Sequence, residues 1–210
     1  MNIVKHEHAC LEIRVAASRL IIDPGVWTSP LESYSSVTAL VITHVHPDHC
    51  DPEKVKALVQ ANPELKIFST KQVAEKLADI AQVTVPKIDQ NYEIGDLKLQ
   101  FYGGLHAKIM EAYPQDQNYG VLVNSTLYYP GDSFTPCPDP HRITAVPVIA
   151  PWLKFSEVAD FVQQDTADQI FPTHNNIANE NGHELLERML DMVRQNKTLH
   201  NLQPEESIEL

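Results

Sequence analysis

The order of apolar and polar residues divides this chain of 210 residues into short strands and helical segments. Leu97, Leu99 and Phe101 alternate with polar residues, as in a strand that buries one face. The run from Thr38 to Thr43 is apolar and β-branched almost throughout, which is typical of a strand buried on both faces. Such patterns predict strands at residues 11–15, 19–22, 38–43, 65–68, 97–102, 119–123, 127–129, 144–149 and 168–172.

Apolar residues at helical spacing predict helices at residues 52–61, 71–80, 157–164 and 183–195. Asp51 followed by Pro52 marks a helix start, and Thr70 and Ser156 are the predicted N-caps of the second and third helices. Alternating strands and helices predict an α/β or α+β fold. Because Pro and Gly are dispersed and no linker is visible, we expect a single domain over residues 1–210.

Composition limits the partners of the protein. Sixteen basic and 28 acidic residues give a formal charge of −12, which opposes binding to a nucleic-acid backbone. No run approaches the roughly 18 apolar residues of a membrane span, and the first residues lack a secretory signal pattern. The three cysteines, an odd number, indicate reduced thiols. We therefore expect a cytoplasmic protein with a small-molecule substrate and no membrane or nucleic-acid partner, whose oligomeric state the sequence does not define.

The segment Thr43-His-Val-His-Pro-Asp-His49 carries four side chains that can bind metal, namely His44, His46, Asp48 and His49. It follows a predicted buried strand, contains a proline that forbids a regular ladder, and precedes a helix start. A cluster of this kind arises by chance on the order of once in a thousand sequences of this composition. Strand, ligand loop and helix in this order predict a metal site at the carboxyl end of the strand.

Other candidate ligands follow other predicted strands. His106 comes after Gly103-Gly104, where the glycines would let the backbone approach the site. Asp132 follows a predicted hairpin, and His174 ends the strand at 168–172. A lone His or Asp after a strand is usually an ordinary hydrogen-bonded group, so the joint order after the histidine motif is what suggests ligands. His6, His8, His141 and His200 have no partner spacing that favours a ligand role.

Asp23, the residues from His44 to His49, His106, Asp132 and His174 together resemble the five ordered motifs of the metallo-β-lactamase-fold hydrolases. The resemblance spans nearly the whole chain and implies a four-layer αββα sandwich. It also implies one metal on His44, His46 and His106, a second on Asp48, His49 and His174, and Asp132 bridging both. The segments 8–12 and 150–153 are most similar to the ascorbate-6-phosphate lactonase-like branch.

Imidazole and carboxylate ligands without thiolates suit two Zn²⁺ ions, although Mn²⁺ or Fe²⁺ would accept the same set. A shared water then provides a hydroxide nucleophile near neutral pH. Asp48 is the predicted catalytic residue, which orients the hydroxide and later protonates the leaving group. Asp23 is predicted to brace a ligand histidine; alternatively, Asp23-Pro-Gly25 is simply a turn.

Candidate substrate contacts lie near the ligand segments, at Trp152, Lys154, Asn175 and His183. Trp152 could instead be core or cavity floor, Lys154 a surface charge, and His183 a solvent-facing residue of a helix. The predicted function is metal-dependent hydrolysis of a small ester, lactone or phosphoester. Two alternatives stay open, which are a phosphodiesterase or nuclease acting on nucleic acid and a non-hydrolytic, iron-binding relative of the oxygenase type.

Overall fold

The computed structural model describes residues 1–88 and 90–210 and contains two seven-stranded sheets. The first sheet consists of β1 (Asn2–Lys5), β2 (Leu11–Val15), β3 (Ser18–Ile22), β4 (Ala39–Ile42), β5 (Lys66–Ser69), β6 (Val83–Thr84) and β14 (Ser207–Glu209). The second consists of β7 (Asn91–Ile94), β8 (Leu97–Leu105), β9 (Gln117–Val123), β10 (Leu127–Tyr129), β11 (Ile143–Pro147), β12 (Gln169–Thr173) and β13 (Thr198–Leu199). The spatial orders are β14-β1-β2-β3-β4-β5-β6 and β13-β12-β11-β10-β9-β8-β7.

Four helices cover the outer faces of the sheets: α1 (Pro52–Ala61), α2 (Lys71–Lys76), α3 (Phe155–Gln164) and α4 (Glu180–Val193). One apolar cluster lies between the two sheets. A second cluster packs α1 and α2 against the first sheet, and a third packs α3 and α4 against the second sheet. In β4, Ala39 and Val41 face the other sheet and Leu40 and Ile42 face the helices. This arrangement confirms the predicted αββα sandwich, and it explains why β4 is apolar throughout.

The strand prediction misses β1, β6, β7, β13 and β14. Each has only two to four residues, too few for an alternating pattern to be recognised. Their pairing depends on segments far away in the chain. Ile3 of β1, for example, pairs with Ile208 of β14.

Two predicted helix starts are wrong. Ser156 is not the N-cap of α3, because that helix begins at Phe155 and the side chain of Glu157 accepts a hydrogen bond from the backbone N–H of Lys154 at 3.1 Å. The last helix begins at Glu180 and not at residue 183, since the side chain of Asn179 caps it. Thr70 caps α2 as predicted, but the helix ends at Lys76 instead of residue 80.

The loops that follow β4, β8, β10 and β12 come together at one edge of the sandwich, where two glycines permit close contacts. A side-chain Cβ at Gly25 would lie 1.8 Å from the carbonyl oxygen of Asp48, so this loop can approach only as glycine. Gly131 has a positive φ of 64° next to Thr43. Of the two glycines before His106, Gly103 also has a positive φ, whereas a side chain at Gly104 would meet open space.

None of the helices in residues 1–88 and 90–210 has the length and apolar character needed to cross a bilayer.

Candidate metal centre

Eight side chains form two adjacent groups at this edge. The first group is His44, His46, His106 and Asp132, and the second is His8, Asp48, His49 and His174. Within each group the atoms that could bind a metal all lie within 4.8 Å of one another. The structure therefore brings together the seven residues that the sequence suggests as ligands, and it adds His8.

Several of these atoms are buried without a hydrogen-bond partner. They are the Nε2 atoms of His44, His49, His106 and His174 and the Oδ1 atom of Asp132. An unsatisfied buried polar atom costs about 1–3 kcal/mol, so a cluster of them would be strongly destabilising if nothing else bound there. Because all five atoms are standard metal ligands, the residues fit the divalent ions that the resemblance implies.

Asp132 lies between the two groups. Its Oδ2 atom is 3.1 Å from His174 Nε2 and 3.3 Å from His106 Nε2, and its Oδ1 atom is 3.2 Å from His49 Nε2, at angles that do not form hydrogen bonds. The indole N–H of Trp152 donates to the same Oδ2 atom at 3.1 Å. This position suits a carboxylate that two ions share.

The outer ring nitrogens of the histidines are hydrogen-bonded, which fixes the orientation of the rings. His106 Nδ1 contacts the carbonyl of Ala107 at 2.5 Å, and His174 Nδ1 contacts that of Ile149 at 2.7 Å. A carbonyl only accepts, so Nδ1 carries a proton in both rings, and in the neutral ring Nε2 presents a lone pair to the site.

His46 has the opposite orientation. Its Nε2 atom lies 3.0 Å from Asp116 Oδ2, which leaves Nδ1 as the atom available to a metal. Gln72 donates to the other oxygen of Asp116 at 2.7 Å and so holds the carboxylate in place. The sequence analysis does not identify Asp116, because no local motif links it to His46, 70 residues away.

Asp23 is fully buried and contacts the loop that carries the histidine motif. Its Oδ1 atom accepts from the backbone N–H of Thr43, and its Oδ2 atom accepts from the Thr43 hydroxyl, both at 2.7 Å. The same Oδ2 atom contacts His49 Nδ1 at 2.7 Å. The carboxylate thus contacts both ends of the motif, beyond forming a turn.

The charges of the site favour a cation between its carboxylates. Burial lowers the pKa of His49, but Asp132 and Asp23 outweigh burial and raise that pKa well above its ordinary value. Burial alone would raise the pKa of Asp132, but His49 and His174 hold that pKa well below its usual range. The buried carboxylates thus draw positive charge into the site, and a bound metal would supply that charge without a proton on His49.

His8, for which the sequence spacing does not favour a ligand role, lies beside the candidate ligands of the second group. Its side chain is fully buried, and its Nε2 atom lies 3.1 Å from Asp48 Oδ2. Its carbonyl accepts the backbone N–H of His174 at 2.8 Å, and its backbone has a positive φ of 58°. A strained backbone that holds a buried imidazole against a candidate ligand is typical of a functional site. The other three histidines pair elsewhere: His6 with Glu205, His141 with Asp165 and His200 with Gln169.

A cavity of about 210 Å³ opens onto the candidate ligands. Its walls are Trp27, Ile109, Pro151, Trp152 and Ile177, and its floor includes His46, Asp48, Asp132 and His174. Trp152 is the one predicted substrate contact that lines it. Trp27 and Ile177 are not predicted from the sequence, although a tryptophan two residues after Gly25, close to Asp23, is a usable signal.

Lys154, Asn175 and His183 do not line this cavity. Lys154 is exposed at the start of α3. Asn175 is buried, and its carbonyl accepts the backbone N–H of Ala178 at 3.1 Å. His183 lies in the first turn of α4 and is half-buried. Three of the four predicted substrate contacts therefore lie outside this cavity.

Comparisons with known proteins agree with this fold. The Mycobacterium tuberculosis protein Rv0786c is 28% identical over 182 residues, which cover 84% of this chain and 85% of that protein. The metallo hydrolase Igni18 from the archaeon Ignicoccus hospitalis KIN4/I gives a TM-score of 0.77 at 16% identity, covering 99% of this chain and 97% of its own. The diiron β-hydroxylase CmlA from Streptomyces venezuelae gives 0.68 at 10% identity, covering all of this chain and 54% of its own.

The two solved structures share the fold with this chain, although one is a metallo hydrolase and the other a β-hydroxylase. A family model described as the beta-lactamase superfamily domain matches residues 2–174, which is most of the sequence. The chain belongs to the beta-lactamase superfamily.

Proposed function

We propose that this protein is a metal-dependent hydrolase of a small, uncharged ester or lactone. The observation that carries the proposal is the set of buried, unpartnered Nε2 atoms and the carboxylate of Asp132 on the floor of a cavity with apolar walls. Polar atoms left without partners in a buried cluster are the signature of a site that binds something else.

His44, His46 and His106 would hold one ion, Asp48, His49 and His174 a second, and Asp132 would contact both. The donors are imidazoles and carboxylates, for which Zn²⁺ is the usual ion, although Mn²⁺ and Fe²⁺ accept the same set. Such a pair supplies a water whose pKa is lowered towards about 7 and polarises the scissile carbonyl oxygen.

Asp48 is the residue best placed to move a proton. Its side chain is 16% exposed and lines the cavity, whereas that of Asp132 is almost fully buried. The Asp48 carboxylate therefore reaches both the buried candidate ligands and the substrate space. In the proposed reaction it accepts a proton from the attacking water and returns it to the leaving group.

The cavity favours a carbonyl substrate over a phosphoester. Among the described residues, no lysine or arginine lines it, so nothing besides the ions would neutralise a phosphate. The formal charge of −12 also opposes a polyanion such as nucleic acid. Cleavage of a lactone in particular, which the resemblance to the ascorbate-6-phosphate lactonase-like branch implies, stays a prediction.

A substrate panel tests the proposal. Protein reconstituted with Zn²⁺ is assayed on uncharged esters, lactones, phosphomonoesters and phosphodiesters of matched size, with His49→Ala as the inactive control. We expect hydrolysis of an ester or lactone to exceed that of any phosphoester by at least about tenfold, a difference of roughly 1.4 kcal/mol in transition-state binding. A protein that binds two ions but prefers a phosphodiester would contradict the proposed substrate, and protein that is purified with iron and hydrolyses no member of the panel would favour the oxygenase alternative.

A further inference from the structure

Exposed apolar side chains are concentrated on the segments that border the cavity. Of the ten large hydrophobic side chains that are exposed in the described residues, six belong to these segments. We call them the apolar collar: Val26, Trp27, Leu105, Met110, Tyr113 and Ile177. Each is between 45% and 58% exposed. Single exposed hydrophobic residues are ordinary, but a group of them beside one cavity marks a binding surface.

The collar continues the walls of the cavity. Trp27 and Ile177 belong to both, and Met110 directly follows the wall residue Ile109. Two collar residues thus line the space above the candidate ligands, and the other four lie on segments that also line it. These segments are the end of β8 and the loops after β3, β8 and β12, and the same loops provide Asp23, His106 and His174.

Hydrogen bonds fix the collar segments relative to the metal centre. The backbone N–H of Val26 donates to the carbonyl of Pro47, within the histidine motif, at 2.9 Å. The backbone N–H of Ala107 donates to the carbonyl of Asp132 at 2.8 Å, and Asn176 donates to the carbonyl of Trp27 at 3.3 Å. Because the segments are tied to the ligand loops and to each other, the exposed side chains belong to a built surface.

We infer that the apolar collar binds an alkyl or aryl group of the substrate that extends beyond the cavity. The inference rests on the proposed function. A cavity of about 210 Å³ is smaller than the roughly 300–1,000 Å³ of most ligand pockets, so it holds the reacting group and little more. An apolar chain that leaves the cavity past Trp27 or Ile177 would meet the collar, and burying it there removes apolar surface of both partners from water.

The charges near the collar agree with an uncharged apolar group. Lys108, the basic residue next to Ile109, is paired with Glu111. Asp116, on the same loop, is held by His46 and Gln72. With a formal charge of −12 on the whole chain, an anionic lipid surface is a poor alternative occupant, because such surfaces attract basic patches.

The test uses a homologous series of 4-nitrophenyl esters, from acetate to octanoate, with the Zn²⁺-loaded protein. We expect kcat/KM to rise with chain length, by up to about fourfold per methylene if each is fully buried, and to level off when the chain outgrows the collar. A value that does not rise between acetate and octanoate would overturn the inference.

Matched variants locate the effect. Met110→Ser should lower the octanoate-to-acetate ratio of kcat/KM by about fivefold or more, since it removes apolar surface that only the longer chain reaches. Met192→Ser is the control, because Met192 is 78% exposed on α4 and lies outside the collar. Equal ratios in the wild type and both variants would overturn the collar as the binding site.

Binding without turnover separates this inference from the proposed function. Octanamide and acetamide, which should not be cleaved readily, are titrated into the protein while tryptophan fluorescence is recorded. Tighter binding of octanamide that is weakened in Met110→Ser supports the collar even if no ester is hydrolysed. Absence of that difference would overturn the inference. Sedimentation of the protein with neutral vesicles, or concentration-dependent dimers that Met110→Ser abolishes, would then assign the collar to a membrane or to a second copy.

Discussion

Asp48→Asn should lower the rate of hydrolysis by about 10² to 10⁴, the loss typical of a missing general acid or base, in protein that retains its metal. The amide keeps the shape of the side chain but loses its charge and basicity. Burial would raise the pKa of Asp48, but contacts with His174 and His8 hold it far below its usual range, so the carboxylate form is present at neutral pH. The measurement is turnover per bound ion on the best substrate of the panel.

Asp51→Asn is the matched control for Asp48→Asn. Asp51 lies three residues further along and caps α1 by accepting a hydrogen bond from the backbone N–H of Glu53. Asparagine caps helices about as well as aspartate, so this exchange should leave turnover and stability nearly unchanged. Near wild-type turnover in a fully loaded Asp48→Asn protein would reduce Asp48 to a replaceable ligand and contradict its proposed role in proton transfer.

Removal of the metal should lower the melting temperature by roughly 8–16 °C for each site that was occupied. An ion present at about 1,000 times its dissociation constant stabilises the folded state by about 4 kcal/mol, and each kcal/mol is worth roughly 2–4 °C in a chain of this size. The candidate ligands follow strands of both sheets, so the ions would cross-link segments that otherwise separate on unfolding. Without them, Asp132 and four unpartnered imidazole nitrogens stay buried.

The measurement compares thermal unfolding of loaded protein, protein dialysed against a chelator, and dialysed protein with Zn²⁺ restored. The restored sample controls for damage by the chelator. An unchanged melting curve after metal removal has been verified by elemental analysis would mean that the site contributes nothing to the stability of the fold.

Local patterns in the sequence are enough to predict the centre of the site. Asp48 and three histidines lie within six residues after a strand that is apolar on both faces, and neither feature depends on distant parts of the chain. The predicted bounds of β2, β10 and α1 agree with those of the structure for the same reason. His106, Asp132 and His174 could be added because each ends or follows a recognisable strand.

The surroundings of the site could not be predicted in this way, since they depend on how the sheets pair. His8 reaches Asp48, 40 residues away, only because the turn between β1 and β2 has a positive φ at His8. β1 itself is recognisable only through its partners, β2 and β14. Lys154 and Asn175 directly follow segments that reach the site but lie outside the cavity, because the direction of a chain after a strand end is set by backbone angles that residue types do not specify.

The most direct test of the metal centre is a crystal structure of the Zn²⁺-loaded protein with anomalous diffraction at the zinc edge, accompanied by elemental analysis of the same sample. We expect two ions per chain, one bound by His44, His46 and His106 and one by Asp48, His49 and His174, with Asp132 contacting both. The bonds to nitrogen and oxygen should measure about 2.0–2.2 Å. A loaded sample in which His106 or His174 lies well outside that distance, or in which no ion binds between the two groups, would contradict the account.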